Sequence, residues 1–84
     1  MDFSLFTFRS ITPAQRAETV LKQGHIRCSL ERTPKWMEQQ GCGYSLRLRA
    51  MDAPTAAGIL RSNKIPYRKV YLLGDNGTAQ EQSL

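Results

Sequence analysis

The sequence predicts an α+β fold of element order βαββαβ, a ferredoxin-like two-layer sandwich in which two helices cover one face of a four-stranded antiparallel sheet. Three observations lead there. Segments with strand patterning and segments with helical patterning follow one another in that order. Val20-Leu21-Lys22-Gln23-Gly24-His25-Ile26 is echoed by Ile59-Leu60-Arg61-Ser62-Asn63-Lys64-Ile65, each marking a helix that ends and turns into a strand. A chain of 84 residues suffices for one domain with a single modest core.

Phe3 to Phe8 is rich in aromatic and β-favouring residues and reads as the first strand. Arg9-Ser10-Ile11 is a short turn. Thr12 suits the N-cap of the first helix, Pro13 its first position, and Gln15 completes a capping box. Ala14, Ala17, Val20 and Leu21 form a narrow apolar stripe, and Gly24 is a natural stop. His25 to Glu31 alternates, with Ile26, Cys28 and Leu30 on one face and Arg27, Ser29 and Glu31 on the other. The connection from Arg32 to Gly43 is longer, and Thr33-Pro34 suits one short helical turn within it. Tyr44, Leu46 and Leu48 alternate with Ser45, Arg47 and Arg49 in the third strand.

Asp52 suits the N-cap of the second helix, with Pro54 tolerated in its first turn. Ala56, Ile59 and Leu60 give this helix its apolar face, and Asn63 stops it. Tyr67 to Leu73 is the fourth strand. One domain is therefore expected over residues 1–73, with 74–84 a flexible polar tail.

Composition narrows the function. A hydrophobic fraction of 40% and a charged fraction of 23% are those of an ordinary soluble protein. No apolar run approaches the ~18–20 residues of a membrane span. Met1-Asp2-Phe3 lacks the basic start and apolar core of a secretory signal, so a cytoplasmic location is expected. Cys28, Cys42 and the lone His25 miss every common metal-ligand spacing, and neither a metal nor another cofactor is expected. Without a carboxylate pair, a Ser-His-Asp set or a phosphate-cradling glycine loop, a carrier or accessory protein is expected rather than a self-contained enzyme. The net charge of +5 favours acidic partners: RNA, an acidic protein surface or a small anion.

One short stretch concentrates the chemistry. In Gln40-Gly41-Cys42-Gly43-Tyr44-Ser45-Leu46-Arg47, glycines on both sides of Cys42 remove the side chains that would crowd its sulfur. The predicted topology puts the connection between the second and third strands at the end where the first strand exits and the first helix begins. Cys42 is therefore expected near Arg9, Ser10 and Thr12. A helix N-terminus carries about +0.5 elementary charge and unpaired N–H groups. A thiolate held there, with Arg9, Arg32 or Lys35 in reach, would have a lowered pKa and be a better nucleophile at neutral pH.

The segment Gly41-Cys42-Gly43-Tyr44-Ser45-Leu46-Arg47 resembles the cysteine segment of the selenium/sulfur carrier-like family. Thr7-Phe8-Arg9-Ser10, and its spacing to Ala17-Glu18 and Val20-Leu21-Lys22, are also similar to that family. The resemblance spans roughly Phe3 to Tyr71. It implies that Cys42 is a carrier thiol framed by Gly41 and Gly43, loaded with sulfur or selenium by a donor such as a cysteine desulfurase and unloaded to an acceptor protein. Family members commonly carry a Ser-Thr pair before the first helix. Here Ile11 separates Ser10 from Thr12.

The remaining candidates read as follows. Cys28 shares a face with Ile26 and Leu30 and is expected to pack as a small hydrophobe. His25 is expected in solvent at a helix end. Trp36, beside the cysteine, either anchors a partner or caps the core. An alternative function rests on the sheet: Arg27, Arg47, Arg49 and Lys69, with Tyr67 and Tyr71, would make a basic, aromatic open face of the kind that binds RNA or docks a regulatory partner. Arg32, Lys35, Trp36, Arg47 and Arg49 are the candidate contacts for such a partner.

Overall fold

The computed structural model describes residues 2–33, 43–74 and 77–84. The order of elements is β1 (Phe3–Phe8), α1 (Ile11–Gln23), β2 (Cys28–Arg32), β3 (Tyr44–Arg49), a 3₁₀ turn (Ala50–Asp52), α2 (Ala53–Ser62), β4 (Val70–Leu73) and β5 (Ala79–Gln82). Among the described residues the fold is α+β, with two helices and a five-stranded antiparallel sheet of order β2-β3-β1-β4-β5.

The fifth strand corrects the expectation of four strands followed by a tail. The sequence Ala79-Gln80-Glu81-Gln82 has no apolar face to announce a strand. It is held instead by backbone pairing to β4, in the register Val70↔Gln82 to Leu73↔Ala79. The turn between the two strands is closed by the Gly74 N–H donating to the Thr78 carbonyl at 2.9 Å, and Gly77 takes a φ of 82°. Beyond the strand, the Tyr67 hydroxyl donates to the Leu84 carbonyl at 3.1 Å.

Both helices end in the same way, which is the structural content of the sequence echo. After α1, the His25 N–H donates to the Lys22 carbonyl and the Ile26 N–H to the Leu21 carbonyl; after α2, Lys64 and Ile65 donate to Arg61 and Leu60. Each is a Schellman motif, in which the residue past the cap adopts a left-handed conformation and the next apolar residue folds back on the last turn. The left-handed positions are His25 (φ 64°) and Lys64 (φ 56°). Gly24, the expected stop, is the C-cap of α1 and has an ordinary φ of −86°. It is also a contact: a Cβ there would come within 3.0 Å of the Ile59 Cδ1 on α2.

Two strands are shorter than expected. With His25 in the turn, β2 begins at Cys28, and β4 begins at Val70 and not at Tyr67, whose ring packs against Phe6. Ahead of β4, Arg68 and Lys69 already pair with Thr7, whose hydroxyl accepts from the Lys69 N–H at 3.0 Å. At the other helix ends, Ser10 and not Thr12 is the N-cap of α1, so Pro13 falls at the third helical position. An N–H there would have no helical partner, so the proline is tolerated. Asp52 is the N-cap of α2 as expected, but its carboxylate faces Arg49 at 3.6 Å and makes no cap hydrogen bond.

The core lies between the helices and one face of the sheet. Phe6, Phe8, Leu46, Leu48 and Val70 meet Ala14, Ala17 and Leu21 of α1 and Ala53, Ala56, Ala57 and Leu60 of α2. The run of alanines keeps the helices close to the sheet, and each large side chain fully buried contributes about 1.5–3 kcal/mol. Tyr67 packs edge-on against Phe6, with centroids 5.1 Å apart. Among the described residues, no helix is long and apolar enough to cross a membrane.

Candidate functional site

The register fixes the end of the sheet at which the β2–β3 connection starts and finishes. β3 is antiparallel to both β1 and β2, so β1 and β2 run the same way. Phe8 at the end of β1 is opposite Tyr44, and Tyr44 is also opposite Arg32 at the end of β2. The exit of β1, the start of α1 and the β2–β3 connection therefore share one end of the sheet. The base of that connection is closed by the Thr33 N–H donating to the Gly43 carbonyl at 3.0 Å, and both residues are buried. Gly41 and Cys42, with Lys35 and Trp36 and the expected helical turn after Thr33, lie outside the described residues.

The rim that is described is basic. Arg9, Ser10 and Thr12 are exposed at the exit of β1 and the first turn of α1. No acidic residue occupies that turn, and Ser10 makes no side-chain cap hydrogen bond, so neither offsets the partial positive charge of the helix end. Across the sheet end, the Arg32 guanidinium stands over the Tyr44 ring, 5.7 Å from its centroid. Tyr44 and Thr33 were not singled out as site residues in the sequence. Their part follows from cross-strand register, which a single strand's alternation does not disclose.

Cys28 is a different kind of thiol. It is half-buried at the far end of β2, with its Sγ 4.0 Å from the Glu18 carbonyl. Four positions separate it from Arg32, about 13 Å along the strand. Burial pushes its pKa up, Glu18 adds to the rise, and Lys22 opposes it. It remains a neutral thiol at neutral pH and packs against the core, as its place in the alternation suggested. His25 is exposed.

On the face away from the helices, Arg47, Arg49 and Lys69 are paired with Glu31 (3.1 Å), Asp52 (3.6 Å) and Glu81 (3.5 Å). Tyr71 belongs to this face, opposite Leu5. Tyr67 does not, being turned into the core against Phe6. Three of the four expected cations are thus paired with carboxylates, Arg27 has no ion-pair partner among the described residues, and the face is one aromatic short. Among the described residues, no group of three or more His, Cys, Asp or Glu is placed to hold a metal ion.

Comparison with curated proteins and with solved structures finds no match. A family model described as "Putative Se/S carrier protein-like" matches residues 4–72, from β1 through β4 and leaving β5 outside. The chain belongs to this Se/S carrier protein-like family.

Proposed function

We propose that this protein carries sulfur or selenium on the thiol of Cys42. Membership of the Se/S carrier protein-like family is the observation that carries the reading. The arrangement of the described rim supports it, since an uncapped helix start and two arginines stand at the end of the sheet from which the Cys42 connection leaves. On this reading Gly41 and Gly43 put no side chain beside the sulfur, although Gly43 is buried and not the exposed frame the resemblance implied, and Arg9, Ser10 and Thr12 favour the thiolate. Lys35 and Trp36 would contact the partner. The βαββαβ part of the chain would be a ferredoxin-like unit to which β5 has been added, working in the reducing cytoplasm where a carrier thiol stays free.

The transfer balances without an oxidant. The Cys42 thiolate attacks the terminal sulfur of a persulfide on a cysteine desulfurase-like donor. An S–S bond forms on Cys42 as the donor's S–S bond breaks, and the donor cysteine leaves as a thiolate. Delivery repeats the exchange, with an acceptor's thiolate attacking and Cys42 leaving. Selenium would move by the same substitution.

Intact-protein mass after incubation with a cysteine desulfurase and cysteine tests the reading in wild type, Cys42→Ser and Cys28→Ser. One added sulfur, removed by reductant and lost only in Cys42→Ser, is expected. No adduct in any variant, or an adduct that depends on Cys28, would overturn it.

A further inference from the structure

We propose that the open face of the sheet holds a second site, for a compact oxyanion such as the phosphate or diphosphate group of a small molecule. The site is a depression of about 360 Å³ lined by Phe3, Arg27, Ser29, Arg47 and Arg49, with Cys28 and Leu48. It lies at the opposite end of the sheet from Thr33 and Gly43, which bound the Cys42 connection. Arg49 is opposite Phe3 at the start of β1, and Tyr44 is opposite Phe8 at its end. Five positions of β3 separate the two, about 17 Å. The proposal therefore does not depend on the carrier reading.

The arginines are arranged as a pre-built anion site. Arg47 donates through Nε and Nη2 to a single Glu31 oxygen, at 3.3 and 3.1 Å, and its guanidinium stands 5.8 Å over the Phe3 ring. Two contacts from different directions hold it in place, so less side-chain freedom is lost on binding. Arg49 points its Nε at Asp52. A guanidinium has five N–H donors, so each keeps donors to spare. Neither Glu31 nor Asp52 is among the residues lining the depression. Arg27 has no ion-pair partner among the described residues and adds its charge to the same wall. Guanidinium forks match phosphate oxygens in geometry as well as charge.

Size and surroundings favour a small ligand over a nucleic acid strand. The volume is that of a small-molecule site. Farther along the face the charge is cancelled, with Lys69 on Glu81, and Leu5, Thr7 and Ser45 are buried. Among the described residues, no basic track continues from the depression for a polymer to follow.

Titration with pyrophosphate at about 0.15 M salt, where exposed charges are well screened, tests the site by calorimetry. The variants are Arg27→Gln, Arg49→Gln and, as a control on the exposed end of α2, Arg61→Gln, each first shown to keep the wild-type thermal midpoint. Saturable binding, weakened about tenfold or more by the first two changes and untouched by the third, is expected. No saturable binding, or binding that all three changes weaken equally, would overturn the site. Binding of single-stranded RNA that tightens with strand length, without binding of pyrophosphate, would overturn it in favour of a nucleic-acid surface.

Discussion

Replacing His25 and Lys64 by glycine is expected to stabilise the protein. Both residues sit just past a helix in left-handed backbone conformation, at φ of 64° and 56°. A residue with a Cβ is strained there by roughly 1–2 kcal/mol, a cost glycine does not bear. Glycine in turn loses more freedom on folding, which returns roughly 0.5–1 kcal/mol. The net expectation is about 0.5–1 kcal/mol gained at each site. The two caps share no hydrogen-bond partner, so the double variant should approach the sum. For a chain of this size that corresponds to a rise in thermal midpoint of roughly 4–8 °C per kcal/mol, and urea midpoints should move with unchanged slope. Alanine at the same positions keeps the Cβ and should leave stability near wild type. If glycine and alanine variants prove equally stable, or glycine is the worse, the caps are not strained and the reasoning fails.

Two further predictions concern buried groups. In Cys42→Ser, Cys28 is the single thiol and should react with iodoacetamide at pH ~7 more slowly than in the unfolded chain, where a free thiol is already only a few per cent thiolate. Because its folded pKa is raised, by burial and then Glu18, the native state holds the proton more tightly than the unfolded chain. The contribution is complete below the unfolded thiol pKa and is lost as pH rises through the folded one, so stability relative to Cys28→Ala should fall from about pH 8 upward. An equal alkylation rate, or no pH-dependent difference, would refute this. Ser4 is fully buried and its hydroxyl has no hydrogen-bond partner among the described residues. Ser4→Ala should therefore raise stability by about 1 kcal/mol in denaturant titration, and a loss of that size would show that the hydroxyl is satisfied.

The alternations in Ile26-Cys28-Leu30 and Tyr44-Leu46-Leu48 were legible because each strand shows one face to the helices. The apolar stripes Ala14-Ala17-Leu21 and Ala56-Leu60 were legible for the same reason. Phe6 and Phe8 could not be assigned a face from sequence, since their neighbours Leu5 and Thr7, on the opposite face, are buried as well. The face is decided by register: Phe6 stands opposite Leu46 and Val70, both in the helix-facing core. Ser10 displaced Thr12 as N-cap because a proline at the third helical position is as acceptable as one at the first. β5 was hidden because its pairing is made by backbone groups, and backbone groups leave no trace in composition. The basic face looked open because Glu31, Asp52 and Glu81 are remote in sequence from the cations they meet, or lie across a strand or turn from them.

The two ends of the sheet differ in a way that bears on the proposed carrier thiol. Each end receives the start of one helix. At the α2 end the N-cap residue is Asp52, which is paired with Arg49, so the helix charge meets a carboxylate. At the α1 end the first turn holds no acid and the cap makes no side-chain hydrogen bond. An anion gains more at the α1 end, and that is the end from which the Cys42 connection leaves. The gain is bounded, however. A helix terminus stabilises a charge by about 0.3–1 kcal/mol when exposed and about 2 at best, too little by itself to hold a free thiol fully ionised at neutral pH. A carrier thiolate there needs a cation in addition to the helix. Arg32 is engaged with the Tyr44 ring, whereas Arg9 is exposed directly before the cap of α1. On the carrier reading, Arg9 is the charge that the helix start requires.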